Sequence, residues 1–380
     1  MLTSRERLLT ALSHEEPDRV PIFFGANGAT SMLSPAYEQF KRHLGIDRPA
    51  RLMSRSFQYA RIDEEVMERL GSDGRRLSLG PAPSPHRREI SANAFVDEWG
   101  IEWRRSPDSV YYEVARAPLR DATIEDLRAY TWPKLDDPSR FVGLADQANV
   151  IRNEAKCGVV APSGVALFEQ ILLLRGMDAF LMDMAMDREF AEELISVVAH
   201  LFRGCLEALM REAGELIDVV TMADDLGTQQ GLMISPAMYR TLLKPWHAEL
   251  IAAIKTHSDA KVFLHSDGNV YQLIDDFIDV GVDILNPVQV SAGDMGDTAR
   301  LKRRFGNRLV FNGAIDTHWV LPHGTPDDVR REVRRRIADL GPGGGYILSS
   351  VHCIQPDVPI DNVLAMFDEA KVAGRYPITC

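Results

Sequence analysis

The 380-residue sequence has few cysteines, no long apolar segment and no surplus of positive charge. Four cysteines without paired short spacing do not form a disulfide framework. No apolar run reaches membrane-spanning length, and the first residues carry acids where a signal peptide needs an apolar core. The formal net charge of -12 argues against a nucleic-acid partner, because phosphate backbones bind basic surfaces. We therefore expect a cytoplasmic globular protein with no membrane contact.

Nucleotide-binding signatures are also absent from the sequence. No G-x-G-x-x-G follows the first predicted strand, and no G-x-x-x-x-G-K-[ST] occurs anywhere, which disfavours an open nucleotide-binding sheet. What the sequence does contain is a regular alternation of strands and helices from about residue 140 onward. This pattern predicts an α/β fold with a closed parallel (β/α)8 TIM barrel. The predicted strands cover residues 20–24, a region near 76–79, 158–162, 218–223, 261–265, 283–288, 309–312 and 346–351.

Several helices have recognisable boundaries. Apolar periodicity predicts helices over residues 4–14, 181–213 and 361–374. Ser-Pro at position 235 and Thr-Pro at position 325 predict two further helix starts, and Pro245 is expected to kink or end the first of these two helices.

The segment from about residue 31 to 140 is less regular. It contains many prolines and arginines, and residues 95–103 and 110–114 predict a β-hairpin with its turn at 106–108. We interpret this segment as an N-terminal elaboration covering one face of a single domain over residues 1–380. A small separate N-terminal domain is the alternative.

The stretch KVFLHSDGNV at residues 261–270 is the strongest candidate for a functional site. Side chains alternate along a strand, so His265 and Asp267 are expected to point the same way at the carboxyl end of a core strand. One interpretation is an aspartate that orients a buried histidine. The other is half of a zinc site, which Cys353 after the last strand would complete with a sulfur donor. Alternatively Cys353 is a small buried apolar side chain, as we expect for Cys157, Cys205 and Cys380 where these are not exposed.

Further polar residues follow the other predicted strands. If Asp224 and Asp225 both faced one cavity, their repulsion would raise one pKa; otherwise one faces inward and the other caps the next helix. We predict that the residues handling protons or orienting the substrate are Asp224, Asp225 and His352. The predicted substrate-binding residues are Gln229, Asn286, Gln289 and Asn312.

Several long motifs in order resemble the uroporphyrinogen decarboxylase superfamily, and more closely its methyltransferase branch. They include RERLLTALSHEEPDRVP at 5–21, DDLGTQQGLMISPAMY at 224–239, HSDGNV at 265–270, LVFNGAID at 309–316 and GGGYILSSVHCIQPDVP at 343–359. The resemblance covers nearly the whole chain and implies the same barrel fold.

The resemblance also carries expectations about chemistry. The decarboxylases grip substrate carboxylates with an arginine-rich loop after the first strand, but residues 23–33 read FFGANGATSML and contain no arginine. Corrinoid-dependent methyltransferases of the family hold zinc with an H-x-C pair and a distant cysteine. His265 and Cys353 match two of these ligands, while Asp267 replaces the second thiolate. A harder oxygen donor leaves the metal more acidic and favours an oxygen substrate over a thiol.

Three functional hypotheses follow. The first is a zinc-dependent methyltransferase that moves a methyl group from a small methoxylated or hydroxylated substrate to a corrinoid on a separate carrier protein. The second is a metal-independent decarboxylase or lyase in which Asp224 or Asp225 handles the proton. The third is a barrel that binds a tetrapyrrole or corrinoid without turning it over.

Overall fold

The centre of the molecule is a seven-stranded parallel sheet in which every strand pairs with its neighbour in chain order. The structure is a computed structural model and describes residues 2–81 and 83–378. The strands are Gly74–Arg76, Gly158–Pro162, Val219–Ala223, Lys261–His265, Ile284–Asn286, Val310–Ile315 and Tyr346–Ser350.

Residues 20–24 close this sheet into a barrel. Phe23 N donates to Leu348 O at 3.0 Å, and Asp73 N donates to Ile22 O at 2.8 Å, so the segment lies between the first and last strands of the sheet. It makes a single bridge rather than a full strand. Pro21 has no N–H to donate, which limits the ladder it can form. The TIM-barrel prediction is confirmed, and the predicted strands 158–162 and 261–265 have their observed bounds.

Buried apolar side chains from the inward faces of the strands fill the barrel interior. Leu8 and Leu12 of the first helix plug its lower end. The other members of this interior cluster are Phe23, Ala26, Val160, Val219, Phe263, Ile284, Val310 and Ile347. The centre is therefore packed, which leaves chemistry to the loops at the carboxyl ends of the strands.

Helices surround the barrel. The α-helices are Ser4–Leu12, Ser34–His43, Glu64–Leu70, Ile124–Ala129, Leu144–Val150, Leu167–Arg175, Met177–Met186, Arg188–Ala213, Pro236–Met238, Lys244–Lys255, Ile274–Val280, Thr298–Phe305, Val320–His323, Pro326–Leu340 and Ile360–Ala373. Two π-helical turns are Ile151–Ala155 and Tyr239–Leu243, and the 3-10 turns are Pro138–Arg140, Gly214–Leu216, Tyr271–Leu273 and Gly293–Gly296.

Local chemistry explains where these helices agree with the predictions and where they differ. The predicted helix 181–213 is two helices, because the Asp187 side chain accepts a hydrogen bond from Phe190 N and starts a new one. Ser235 caps its helix as predicted. The interruption expected at Pro245 comes earlier, at the π-helical turn, and Pro245 lies in the first turn of Lys244–Lys255, where no N–H is required.

The N-terminal elaboration contains a four-stranded antiparallel sheet and a two-stranded ladder. The sheet strands are Arg88–Ser91, Ala94–Val96, Glu102–Arg104 and Glu113–Arg116, and the ladder strands are Arg51–Leu52 and Ala60–Arg61. The predicted single strand 95–103 is divided by a turn. The Asp97 carboxylate accepts from Trp99 N, Ile101 N and Trp103 Nε1, which folds the chain back within five residues. The single-domain assignment stays a prediction.

Two sequence expectations concern cysteines and membranes. Cys157 and Cys205 are buried and unpaired, as expected, and Cys380 lies outside the described residues. Within the described ranges, no helix is both long enough and apolar enough to cross a membrane.

Candidate metal centre

Three side chains meet at the mouth of the barrel with their donor atoms mutually within 4.8 Å: His265, Asp267 and His352. His265 ends its strand, and Asp267 lies two residues beyond it. His352 lies two residues beyond the strand Tyr346–Ser350. Asp267 Oδ2 is 3.8 Å from His265 Nε2 and 3.9 Å from His352 Nε2. Two imidazole nitrogens and one carboxylate oxygen form a donor set that zinc accepts with a fourth position left open.

The second oxygen of the Asp267 carboxylate supports a cation here. Asp267 Oδ1 is buried and has no hydrogen-bond partner among the described residues. An unpartnered buried polar atom in a native fold is costly and calls for an explanation. A divalent cation held by the three side chains would compensate this oxygen, so the residues present fit a metal.

A chain of amides fixes the orientation of His265. Asn312 Nδ2 donates to the backbone oxygen of Ile347 at 2.9 Å, so Asn312 Oδ1 is left to accept from Asn286 Nδ2 at 2.7 Å. Asn286 Oδ1 therefore lies 2.6 Å from His265 Nδ1 and accepts a hydrogen bond from the N–H at that nitrogen. This leaves the Nε2 lone pair of His265 directed at the site, as outer-shell partners of metal-binding histidines commonly arrange.

The two imidazoles of the site differ in basicity. Burial lowers the pKa of His265, but the charges of Asp267 and Asp225 and the bond to Asn286 outweigh it, so the net shift is upward. Burial lowers the pKa of His352, and the charge of Asp267 does not compensate. His352 is thus the more readily neutral of the two, which is the form that binds metals.

Cys353 is not one of the three convergent donors. Its Sγ lies 3.2 Å from His352 Nδ1 and 3.4 Å from Gln355 Nε2, behind the imidazole. Burial, followed by the nearby charge of Asp267, raises the pKa of the Cys353 thiol to about 12. Consecutive side chains in the turn after the last strand point in different directions. His352, which was predicted to handle protons, is therefore the third donor beside His265 and Asp267, in the place predicted for Cys353.

Asp224 and Asp225 have separate roles. Asp224 is buried, and its Oδ1 accepts from the backbone N–H groups of Phe168 and Glu169 at the start of the helix Leu167–Arg175. Its Oδ2 lies 2.7 Å from His247 Nε2. Both oxygens of Asp224 are thus engaged, one by a helix cap and the other by a buried histidine, and its proton-handling role stays a prediction.

Asp225 faces the mouth. Its Oδ1 accepts from Asp267 N at 2.9 Å and lies 3.9 Å from His265 Nε2. The alternative in which one aspartate faces inward and the other caps a helix therefore describes the structure, although the capped helix precedes the pair in the chain.

Three of the four predicted substrate-binding residues support the strand end and turn that carry His265 and Asp267. Asn286 and Asn312 are the buried amides behind His265. Gln289 Oε1 accepts from Gly268 N at 2.6 Å and holds the turn that follows Asp267. Gln229 is exposed on the adjoining loop.

Sequence reasoning missed Glu169. It lines a cavity of about 1210 Å³ together with Leu172, Leu173, Met233 and Asp225, and Asp225 connects this cavity to His265, 3.9 Å away. Burial, then the charges of Asp225 and Asp224, raise the pKa of Glu169 to about 7. A glutamate in the first turn of a helix is ordinary, so no local signal marks this residue.

Tyr59 was also missed. Its segment pairs with residue Leu33, and Leu33 N in turn donates to Ile354 O, so the ladder ties Tyr59 to the loop that carries Cys353. The ring is stacked on Phe57, and a Cβ on Gly28 would lie only 2.7 Å from it. Burial raises the pKa of Tyr59, and Cys353, Glu169 and Asp267 add to the shift. The tyrosine comes from the irregular segment, where its spacing carries no pattern.

Comparisons with known proteins agree with this architecture. The family model described as uroporphyrinogen decarboxylase (URO-D) matches residues 114–372. The uroporphyrinogen decarboxylase of Alkalilimnicola ehrlichii is 35% identical over 74 residues, which cover 19% of this chain and 20% of that protein. The enzyme of the same name from Neisseria meningitidis is 24% identical over 167 residues, covering 42% of this chain and 44% of that protein. These alignments therefore span less than half the length of the curated relatives.

A solved structure matches over nearly the whole chain. A methyltransferase from Methanosarcina mazei superimposes with a TM-score of 0.66 at 17% sequence identity, covering 98% of this chain and 99% of that one. At this identity the likeness bears on the fold, and it agrees with a TIM barrel.

Proposed function

We propose that this chain, which belongs to the uroporphyrinogen decarboxylase family, is a zinc-dependent methyltransferase. It would move a methyl group from a small methoxylated or hydroxylated substrate to a corrinoid carried by a separate protein. The observation that carries the proposal is the buried, unpartnered oxygen of Asp267 beside two imidazoles at the barrel mouth. The methyltransferase with the same fold supports the reaction class.

His265, Asp267 and His352 would hold the metal. When bound, zinc supplies a Lewis acid that stabilises negative charge on the oxygen released from the methyl group. Two neutral imidazoles and one carboxylate leave a net positive charge at the site, which suits an oxygen substrate. Cys353, behind His352, would act through that imidazole.

Glu169 is the proposed proton donor. Breaking a methyl–oxygen bond leaves the electron pair on oxygen, and that oxygen needs a proton before the product departs. Glu169 lies on the cavity wall with a pKa of about 7, so near neutral pH much of it carries a proton. Asp225 has a positioning role, because it accepts from the backbone of Asp267 and holds the metal loop.

The adjoining cavity supports a small, partly apolar substrate. Leu172, Leu173 and Met233 form its apolar wall, while Glu169 and Asp225 lie at the side nearest the metal group. Pockets that combine an apolar wall with a few directed polar groups are typical of small-molecule sites.

Metal analysis followed by a methyl-transfer assay tests the proposal. Purified protein, before and after zinc addition, is incubated with cob(I)alamin and either methanol or a methoxylated benzoate, and methylation is followed by absorbance. We expect stoichiometric zinc and methylation that EDTA abolishes and zinc restores. The His265→Ala variant should lose both, while Arg211→Ala, an exposed control in the helix Arg188–Ala213, should keep both. Wild-type protein that binds no zinc under these conditions would refute the proposal.

A second candidate is the metal-independent decarboxylase or lyase, favoured by the name of the curated relatives. It predicts carbon dioxide release from an acidic substrate that persists in EDTA. The arginine-free sequence at residues 23–33 disfavours a porphyrinogen substrate. Cobalamin binding by spectroscopic titration without methyl transfer would instead indicate the non-catalytic barrel.

A further inference from the structure

Arg75 and Arg76, which are consecutive residues of the strand Gly74–Arg76, have opposite surroundings. Arg75 is fully paired: its Nε donates to Glu64 at 2.8 Å, and its Nη1 donates to the backbone oxygens of Ser72 and Gly74. The side chain of Arg76, which ends the strand Gly74–Arg76, is half-buried and forms no hydrogen bond or ion pair with any residue in the described part of the chain. Arginine is rarely buried without a partner.

A second unpaired arginine lies nearby. Arg61, on the short strand Ala60–Arg61, lines the same cavity of about 670 Å³ as Arg76. Burial and, to a smaller extent, the positive charge of Arg61 together lower the pKa of Arg76 to about 10. Arg61 is exposed, so water screens much of its repulsion with Arg76. The arrangement that calls for explanation is two guanidinium groups on one cavity wall, the inner of them half-buried.

The acidic residues of this cavity do not act as counter-ions to these two guanidinium groups. Glu64 is engaged by Arg75 at 2.7 Å. The other acidic residues on the wall are Glu68, Asp146 and Glu154. Across residues 2–81 and 83–378, no carboxylate oxygen lies within 4.0 Å of a nitrogen of Arg61 or Arg76, so neither guanidinium has an internal counter-ion.

We propose that Arg76 and Arg61 form a binding site for a small dianion that carries carboxylate or phosphate groups. A planar guanidinium offers paired donors to either group, and the pair of charges selects a dianion over a neutral molecule. The site lies in the cavity bounded by the helix Glu64–Leu70 and the segment around Gln147, outside the metal group. It does not depend on the proposed methyl transfer.

Ligand-dependent thermal unfolding tests the site. Inorganic phosphate and succinate are each compared with sodium chloride at equal ionic strength. We expect at least one of them to raise the Tm of the wild-type protein by about 2 °C. Arg76→Gln and Arg61→Gln should abolish the rise, and Arg75→Gln should keep it. A response to phosphate alone or to succinate alone identifies the group recognised. No response in the wild type, or an undiminished response in Arg76→Gln, would overturn the proposal.

Unfolding in denaturant without added anion separates binding from structural support. If Arg76 is held in place for a ligand, Arg76→Gln removes an unpaired half-buried charge, and the midpoint stays unchanged or rises. Arg75→Gln should lower the midpoint, because Glu64 and two backbone oxygens lose their donor. A fall in Arg76→Gln as large as that in Arg75→Gln would assign Arg76 a structural role and contradict the proposal. Arg61→Gln, at an exposed position, keeps the binding test available if Arg76→Gln does not fold.

Discussion

The two ends of the barrel treat their charges in opposite ways. At the floor, Asp73 accepts from Arg7 at 2.7 Å and from Arg19 at 2.8 Å, and Asp218 accepts from Arg5 at 2.9 Å. At the mouth, the closest carboxylate to either imidazole is 3.8 Å away, and Asp267 Oδ1 has no partner in the described residues. The sheet thus carries paired carboxylates at its floor and, at its mouth, one carboxylate oxygen that is available for a ligand.

The pairing at the floor follows a repeated device. An aspartate immediately before a strand accepts a hydrogen bond from a backbone N–H of the neighbouring, earlier segment of the barrel. The three such bonds run from Ile22 N to Asp73, from Val159 N to Asp218 and from Val262 N to Asp283. Each such bond ties two neighbouring strands together at their starts. At the other end of the same strands Asp224 and the Asn286–Asn312 amides are also hydrogen-bonded, whereas Asp267 Oδ1 has no partner among the described residues.

The largest expected effect is a loss of stability on removing the Asp73 carboxylate at the floor. Asp73→Ala removes a buried acceptor shared by Arg7, Arg19 and Ile22 N, so we expect the free energy of unfolding to fall by about 3–5 kcal/mol. Chemical denaturation measures the change. Zinc affinity of the folded fraction should be unaltered, and a loss below about 1 kcal/mol would show that the floor network contributes little.

Substitution of Asp267 at the mouth should lower zinc affinity and leave stability intact, which is the reverse of the result expected for Asp73→Ala. Asp267→Asn removes the charged donor between two imidazoles, and we expect zinc affinity to fall by more than about 100-fold. The metal-free protein should unfold at the same or a higher denaturant concentration, because the substitution removes the negative charge of a carboxylate whose Oδ1 is buried without a partner among the described residues. Competition with a chromophoric chelator measures the affinity. Unchanged affinity in Asp267→Asn, beside an unchanged Arg211→Ala control, would show that Asp267 is not a ligand.

The amide chain behind His265 gives a smaller effect. Asn286→Ala frees the imidazole to rotate and to change its tautomer, so we expect zinc affinity to fall by about 10- to 100-fold. The same chelator competition measures it. If the affinity matches that of the wild type, His265 is oriented by other contacts.

The smallest expected effect is a pH dependence due to Glu169. Burial raises the pKa of Glu169 from 4.5 to about 7, so between these values the folded, metal-free protein keeps a proton that the unfolded chain has lost. Its contribution therefore makes stability decrease as the pH rises through this window. Glu169→Gln should flatten that slope in EDTA-treated protein, measured as denaturation midpoints at several pH values. A slope identical to that of the wild type would mean that Glu169 is already ionised.

Some of the site was accessible from sequence, and some was not. A period of two at the strand end predicted that His265 and Asp267 share a face, and their side chains lie 3.8 Å apart although the strand ends at His265. Beyond the strands this rule ends, so the choice between His352 and Cys353 depended on how one turn is packed. Asp224 and Asp225 are adjacent and chemically identical in sequence, and only the position of the helix Leu167–Arg175 shows which one is used as a cap.

The sequence by itself determined the barrel, the approximate positions of most of its strands and the histidine–aspartate pair, because these follow from alternation, capping and turn chemistry within a few residues. Tertiary structure alone decided which distant groups meet. Glu169, Tyr59 and the unpaired Arg76 acquire their properties from burial and from charges that lie far away along the chain. Desolvation and Coulomb interactions depend on distance in space, and no local pattern of residues encodes that distance.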